Sequence, residues 1–223
     1  MFSDRKIMNS RPQENSRLLP NKIISIASNF FDSFGSLLIH IGISPNALTV
    51  SSLIVGMAAG LLFALHKPAW AAAAVFMCGF LDIMDGKVAE LSDRKTLFGA
   101  ILDSSLDRYS EFFIYLGIAY HFRSHWALWL IFFALLGSTM VSYTRARAEG
   151  LGIECRVGIM QRAERILLIT LAAVIGSIVH NINITLISAL VLITIMSNIT
   201  SIQRIYLVRK IEKTRNQERR PSQ

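Results

Sequence analysis

Along this chain apolar residues collect in runs of 10 to 19 positions rather than in short alternating stretches. The runs are Ala47–Leu65, Ala69–Met84, Phe112–His121, Trp126–Val141, Ile166–His180 and Ile184–Ile202. Several approach the roughly 20 residues a helix needs to cross the hydrocarbon core of a bilayer. The run at Phe112 is too short, so its helix is extended back through Gly99–Glu111, a segment that is polar on one side only. The pattern predicts an all-α membrane protein with six transmembrane helices. Before them, Lys22–Ile41 places Ile24, Ala27, Phe31, Phe34 and Leu38 at helical spacing among Ser, Asn, Asp and Gly. This predicts an N-terminal interfacial amphipathic helix. Ser44 and Pro45 open the first span as N-cap and first helical residue. Pro68 and the polar His180–Asn183 stretch mark later turns. No repeat or second domain is visible, so the expected organisation is an arm at 1–21, a membrane domain at 22–208 and a charged, solvated or disordered tail at 209–223.

Composition agrees with lipid as the solvent: 52% of the 223 residues are hydrophobic, and the mean hydropathy is +0.46. A net charge of +8 could suggest a nucleic-acid partner, but its placement suggests a membrane instead. Lys and Arg gather in the arm, between spans 2 and 3 (Lys87, Arg94, Lys95), between spans 4 and 5 (Arg145, Arg147, Arg156, Arg162, Arg165) and in the tail. The other turns hold only Lys67 and Arg123. The positive-inside rule then puts both termini and the site-bearing loops in the cytoplasm, as expected for a protein of the cytoplasmic membrane. Cys78 falls in an apolar run and Cys155 in a basic loop, so no disulfide is expected. The aromatic and Met residues of the spans serve packing and lipid contact.

The chemistry sits where apolar helices turn acidic. Asp82, Asp85, Gly86 and Ala89 share one helical face about 100° wide, and Gly99, Asp103 and Asp107 share another. Four carboxylates near a bilayer centre would oppose insertion by roughly 10–14 kcal/mol unless paired, hydrated or metal-bound. Salt bridges to Lys87, Arg94 or Arg108 could account for one pair. Two pairs framed by small residues point to an all-oxygen site for Mg²⁺ or Mn²⁺, with room for phosphates to approach the backbone.

The spacing of these seven residues resembles the D-x2-D-G-x2-A-R-x8-G-x3-D-x3-D pattern of the CDP-alcohol phosphatidyltransferases. Ser44–Thr49 and the span plan extend the resemblance. One position departs, because Glu90 stands where the pattern has arginine, a charge reversal that Lys87 or Arg94 would have to offset. The resemblance implies a metal held by Asp82, Asp85 and Asp103, with Asp107 joining the metal site and serving as general base. It implies nucleotide binding by Asp82, Gly86, Ala89, Gly99 and Asp103, and a CDP-diacylglycerol-type lipid donor that releases CMP. Ser142–Arg165 is similar to the matching region of the phosphatidylinositol-phosphate synthases of this family. That similarity implies a phosphorylated alcohol acceptor, inositol phosphate by preference, bound through Ser142, Arg145, Arg162 or Arg165, and Arg204. Family members commonly pair as homodimers, so one is expected here. Glycerol 3-phosphate is the alternative acceptor, as in a phosphatidylglycerophosphate synthase. Two readings of other classes are a divalent-cation transporter and an inactive scaffold. Carboxylates at one membrane edge disfavour the first, and only Glu90 favours the second.

Overall fold

The computed structural model describes residues 21–155 and 157–218. The N-terminal arm, Arg156 and the last five residues of the tail lie outside the described residues. Seven helices and no strand are found among them: α1 (Asn21–His40), α2 (Pro45–Ala64), α3 (Pro68–Leu91), α4 (Leu97–His121), α5 (Ala127–Gly150), α6 (Arg162–Ile178) and α7 (Ile182–Glu218). Four of them, α2, α3, α5 and α7, are long and apolar enough to cross a membrane. In α4 and α6 the apolar stretch shares its helix with charged residues, Asp103, Asp107, Arg108 and Glu111 in one and Arg162, Glu164 and Arg165 in the other.

Local signals set most helix ends. Ser44 caps α2, its hydroxyl accepting from the Ala47 amide at 3.2 Å, and Pro45 occupies the first turn, where no N–H is missed. Thr96 caps α4 in the same way through the Gly99 amide at 2.9 Å. Gln161 and Glu164 form a reciprocal capping box at the start of α6. The extension of the Phe112 run is realised, since α4 is one helix from Leu97 to His121. The described part of the tail continues α7 through Val208 to Glu218 with mostly exposed side chains, because no Gly or Pro interrupts it and its residues beyond 208 are mostly good helix formers.

The helices pack around α2, which runs along both α3 and α4, while α3 and α4 touch each other little. Gly60 and Gly117 make the α2–α4 approach possible, since a Cβ on Gly117 would collide with the Gly60 carbonyl. The α5, α6 and α7 helices form a second group that meets the first mainly through α3 and α6. Their shared core includes Phe63, Val75, Ile118, Ile131, Ala173 and Leu190, all fully or almost fully buried. A smaller cluster seats Phe31, Phe34 and Leu38 of α1 against Met84 and Val88 near the end of α3. Lys87 of α3 reinforces this contact through an ion pair with Asp32 at 2.6 Å. Large apolar side chains cover the outside, including Ile54, Leu61, Phe133 and Ile178. In water that belt would be an aggregation surface, and in a bilayer it is the solvated face. The chain is an integral membrane protein.

The turns after α2, α4 and α6 meet at one end, where the His66 ring lies tilted against His121 with centroids 4.6 Å apart and His121 Nε2 pairs with Asn183 at 2.8 Å. The aspartates lie at the opposite end.

Candidate active site

At that opposite end, one carboxylate oxygen from each of Asp82, Asp85 and Asp103 lies within 4.8 Å of the others. The convergence expected from the sequence therefore occurs, but not through direct packing of α3 on α4. Their ends splay around a cavity, and α2 and α6 supply the contacts between them. Thr49 of α2 donates to Asp85 Oδ2 at 2.6 Å, fixing the most buried of the carboxylates. From α6, Arg162 reaches both helices of the motif, pairing with Asp82 of α3 and, at 2.8 Å, with Asp107 of α4. Its Nη2 also donates to Ser110 Oγ at 3.1 Å.

Asp103 keeps a buried Oδ1 with no partner among the described residues. A buried, unpaired carboxylate oxygen is costly unless something cationic meets it. Three carboxylates from two helices give a hard, all-oxygen donor set, so the residues fit a divalent ion such as Mg²⁺ or Mn²⁺. Asp107 lies outside this trio but shares Arg162 with Asp82.

Two cavities meet at this cluster, and both are lined by Ala100 and Asp103. The smaller, about 210 Å³, lies between α2, α3 and the start of α4 and is walled by Asn46, Thr49, Asp85, Gly86, Ala89 and Gly99. A Cβ built on Gly86 would meet nothing within 4 Å, so its smallness serves no packing need and leaves open space in the cavity. Arg94 and Lys95 close the rim. Glu90 is exposed and lines neither cavity, while Lys87 is committed to Asp32. Of the two residues expected to offset Glu90, Arg94 is therefore the one at the cavity.

The larger cavity, about 670 Å³, opens on the other side of Asp103 toward α5, α6 and α7. Ser142, Arg145, Arg162, Arg165 and Arg204 all line it, so the structure gathers the five residues that the sequence assigned to one phosphate. Their states differ. Arg145 is exposed and pairs with Glu149 at 2.8 Å. Arg165 is 1% exposed and held in a two-point ion pair by Glu111. Arg204 is also buried, and it donates to the main-chain carbonyls of Val157, at 2.9 Å, and Val141. It therefore ties α7 to α5 and to the α5–α6 loop. Thr200 helps, accepting from the amides of Ile159 and Met160 at 3.1 and 3.0 Å.

Sequence reasoning missed Thr49, Ser110, Glu111 and Thr200 as parts of this site. Thr49 stood at the end of the Ser44–Thr49 stretch, and Glu111 continues the four-residue spacing of Asp103 and Asp107; either signal could have been followed.

The profile of the CDP-alcohol phosphatidyltransferases matches residues 42–208. The chain belongs to that family. It is thus an enzyme, a transferase of phospholipid synthesis. It is similar to the archaetidylinositol phosphate synthase of Methanothermobacter thermautotrophicus, with 35% identity covering 88% of this chain and 97% of that one. Among solved structures it is similar to the phosphatidylinositol phosphate synthase of Mycobacterium tuberculosis with CDP-DAG bound. That comparison gives a TM-score of 0.72 and 26% identity over 81% of this chain and 94% of the other. The same Mycobacterium protein in complex with manganese and citrate gives a TM-score of 0.70 and 26% identity, over 80% and 88% of the two chains. A divalent metal thus occurs in a relative of the same fold.

Proposed function

We propose that this enzyme transfers a phosphatidyl-type group from a CDP-linked lipid to inositol phosphate, releasing CMP. The observation that carries the reading is the pairing of two cavities across one carboxylate cluster, one with small residues and a basic rim, the other lined with arginines. The first suits a cytidine diphosphate and the second a phosphorylated alcohol. The names of the relatives favour inositol phosphate over glycerol 3-phosphate, which offers the same phosphate.

In this reading Asp82, Asp85 and Asp103 would hold the metal, with Asp107 beside them as a further carboxylate ligand. When bound, the ion neutralises the pyrophosphate and stabilises the departing CMP. Asp82, Gly86, Ala89, Gly99 and Asp103 form the nucleotide site, where a bare backbone lets the pyrophosphate approach. The acceptor hydroxyl oxygen attacks the phosphorus that carries the lipid. As that bond forms, the bond from the same phosphorus to the CMP oxygen breaks, and Asp107 takes the hydroxyl proton. Ser142, Arg145, Arg162 and Arg165 orient the acceptor phosphate through charge-assisted hydrogen bonds. Arg204 contributes by fixing the α5–α6 loop beneath them.

The same reading makes α4 and α6 spans, giving six in all, and lays α1 in the membrane interface with the active site and both termini facing the cytoplasm. The membrane domain covers 22–208, between an arm at 1–21 and a charged tail from 209. A homodimer is part of the proposal by family resemblance.

The test is CMP release by purified protein with Mg²⁺ and either CDP-diacylglycerol or its dialkyl ether counterpart, comparing inositol phosphate, glycerol 3-phosphate, free inositol and serine. Release is expected with inositol phosphate. Asp107→Asn should lower it by about 10²–10⁴-fold, the usual contribution of a positioned base. Release driven only by a neutral alcohol would sink the phosphate-site assignment and leave the carboxylate site standing.

A further inference from the structure

The α4 helix carries a third acidic residue on the face of Asp103 and Asp107. Glu111 lies one turn beyond Asp107, away from the carboxylate cluster. Its two oxygens accept from Arg165, Oε1 from Nε at 2.6 Å and Oε2 from Nη2 at 3.0 Å. Arg165 is 1% exposed and its Nη1 has no partner among the described residues, yet the residue lines the large cavity. Glu111 is therefore engaged on both oxygens and is not a spare base. What it leaves on Arg165 is a free Nη1 amino group, in a guanidinium whose plane and position are fixed.

We propose that Glu111 is a positioning residue for the acceptor phosphate, acting through Arg165. A buried arginine with no carboxylate beside it would bear a large desolvation cost and would turn toward water or another acid. Other carboxylates line the same cavity, Glu149 and Glu164 besides Asp82, Asp103 and Asp107, and Arg162 already sits on Asp82 and Asp107. Glu111 holds the second arginine in one place in the acceptor cavity. Tyr115, one turn further along α4, is buried and its hydroxyl meets Ser138 Oγ of α5 at 3.2 Å, so the wall that carries Glu111 is itself anchored to α5.

This inference rests on the acceptor-cavity reading, and the sign of one measurement decides it. If Glu111 were only a negative charge near an anion site, Glu111→Gln would relieve repulsion and tighten phosphate binding. If it positions Arg165, the same change weakens binding by about tenfold, the order expected for the loss of one charge-assisted hydrogen bond. Calorimetric titration of the purified, Mg²⁺-loaded protein with inositol phosphate and with inorganic phosphate gives the affinity without requiring turnover. The expected result is weaker binding of both anions by Glu111→Gln, an unchanged affinity for CMP, and partial recovery in Glu111→Asp. In an Arg165→Gln background the Glu111→Gln change should add nothing, because its only route is gone. Tighter binding, an equal loss of CMP affinity, or a full effect without Arg165 would overturn the proposal, as would a wild-type protein that binds neither anion. Phosphate binding by the wild type without CMP release would instead count against the transfer reaction, and the variants would still decide the role of Glu111.

Discussion

Among the residues of the site, Thr49 shows how a neutral side chain can govern a charged one. Asp85 is the most buried of the three clustered carboxylates, and its Oδ2 accepts the Thr49 hydroxyl at 2.6 Å. That hydroxyl also lies 3.1 Å from the Pro45 carbonyl, a residue of the first turn of α2, so the cap of the helix and the aim of the carboxylate are linked. Thr49→Val keeps the shape and removes the hydrogen bond. Losing such a supporting contact typically costs 10–100-fold in metal affinity. Mn²⁺ binding followed by electron paramagnetic resonance should therefore weaken by about that factor, with little change in thermal stability. An unchanged Mn²⁺ affinity would mean that Asp85 is aimed by the backbone alone. The four aspartates themselves were legible in the sequence because each lies on one helical face at fixed spacing. The partners that set their state were not, since Thr49 to Asp85 spans 36 positions, and Arg162 meets Asp82 and Asp107 from another helix. No periodicity reports a contact of that range.

Two glycines, Gly86 at the site and Gly117 near the opposite end of the bundle, separate packing from ligand space at the scale of the helix. On Gly117 of α4 a Cβ would strike the main chain of Gly60 in α2, whereas on Gly86 of α3 it would meet nothing within 4 Å. Alanine is the better helix former by about 1 kcal/mol, so propensity alone predicts that both Gly→Ala changes stabilise. At Gly117 the obstacle is backbone, which cannot rotate away. Overpacking there costs about 1–3 kcal/mol or more, and the closeness of the main chain puts it at the upper end. Gly117→Ala should lower the thermal midpoint in detergent and loosen α2 from α4, a net loss of about 2 kcal/mol. Gly86→Leu should leave the midpoint in place or raise it slightly, and raise the KM for the CDP-lipid without raising that for the acceptor. Equal effects of the two substitutions on the midpoint would dissolve the distinction. From the sequence, these positions are only small residues in apolar or acidic helices. The motif singled out Gly86, and nothing in the pattern of α2 or α4 singled out Gly60 and Gly117, because close approach is a property of the pair.

Across the whole molecule, the charge distribution makes a claim about orientation. The carboxylate end carries Arg94, Lys95, Arg145, Arg147, Arg162 and Arg165, together with the basic C-terminal turns of α7. The opposite end, where the His66, His121 and Asn183 side chains meet, has Lys67 and Arg123 as its full cations among the described residues. Arg123 lies over the Tyr120 ring, 4.6 Å from its centroid, a contact suited to the edge of a bilayer. An excess of Lys and Arg in short loops biases retention on the cytoplasmic side. Both native thiols, Cys78 and Cys155, are buried, so a new surface cysteine can be labelled over a low background. Arg94→Cys and Lys67→Cys place a thiol at either end, at exposed loop positions in the turns after α3 and α2. In sealed vesicles with the cytoplasmic face outward, a membrane-impermeant maleimide should label the first and spare the second. In vesicles of the opposite orientation the pattern should reverse. Labelling of both in one preparation and of neither in the other would show that the two ends share one side, and with it the six-span arrangement would fail. Labelling with the opposite polarity would keep the spans and place the aspartates on the outer face, away from a cytoplasmic supply of CDP-lipid headgroups and phosphorylated acceptors.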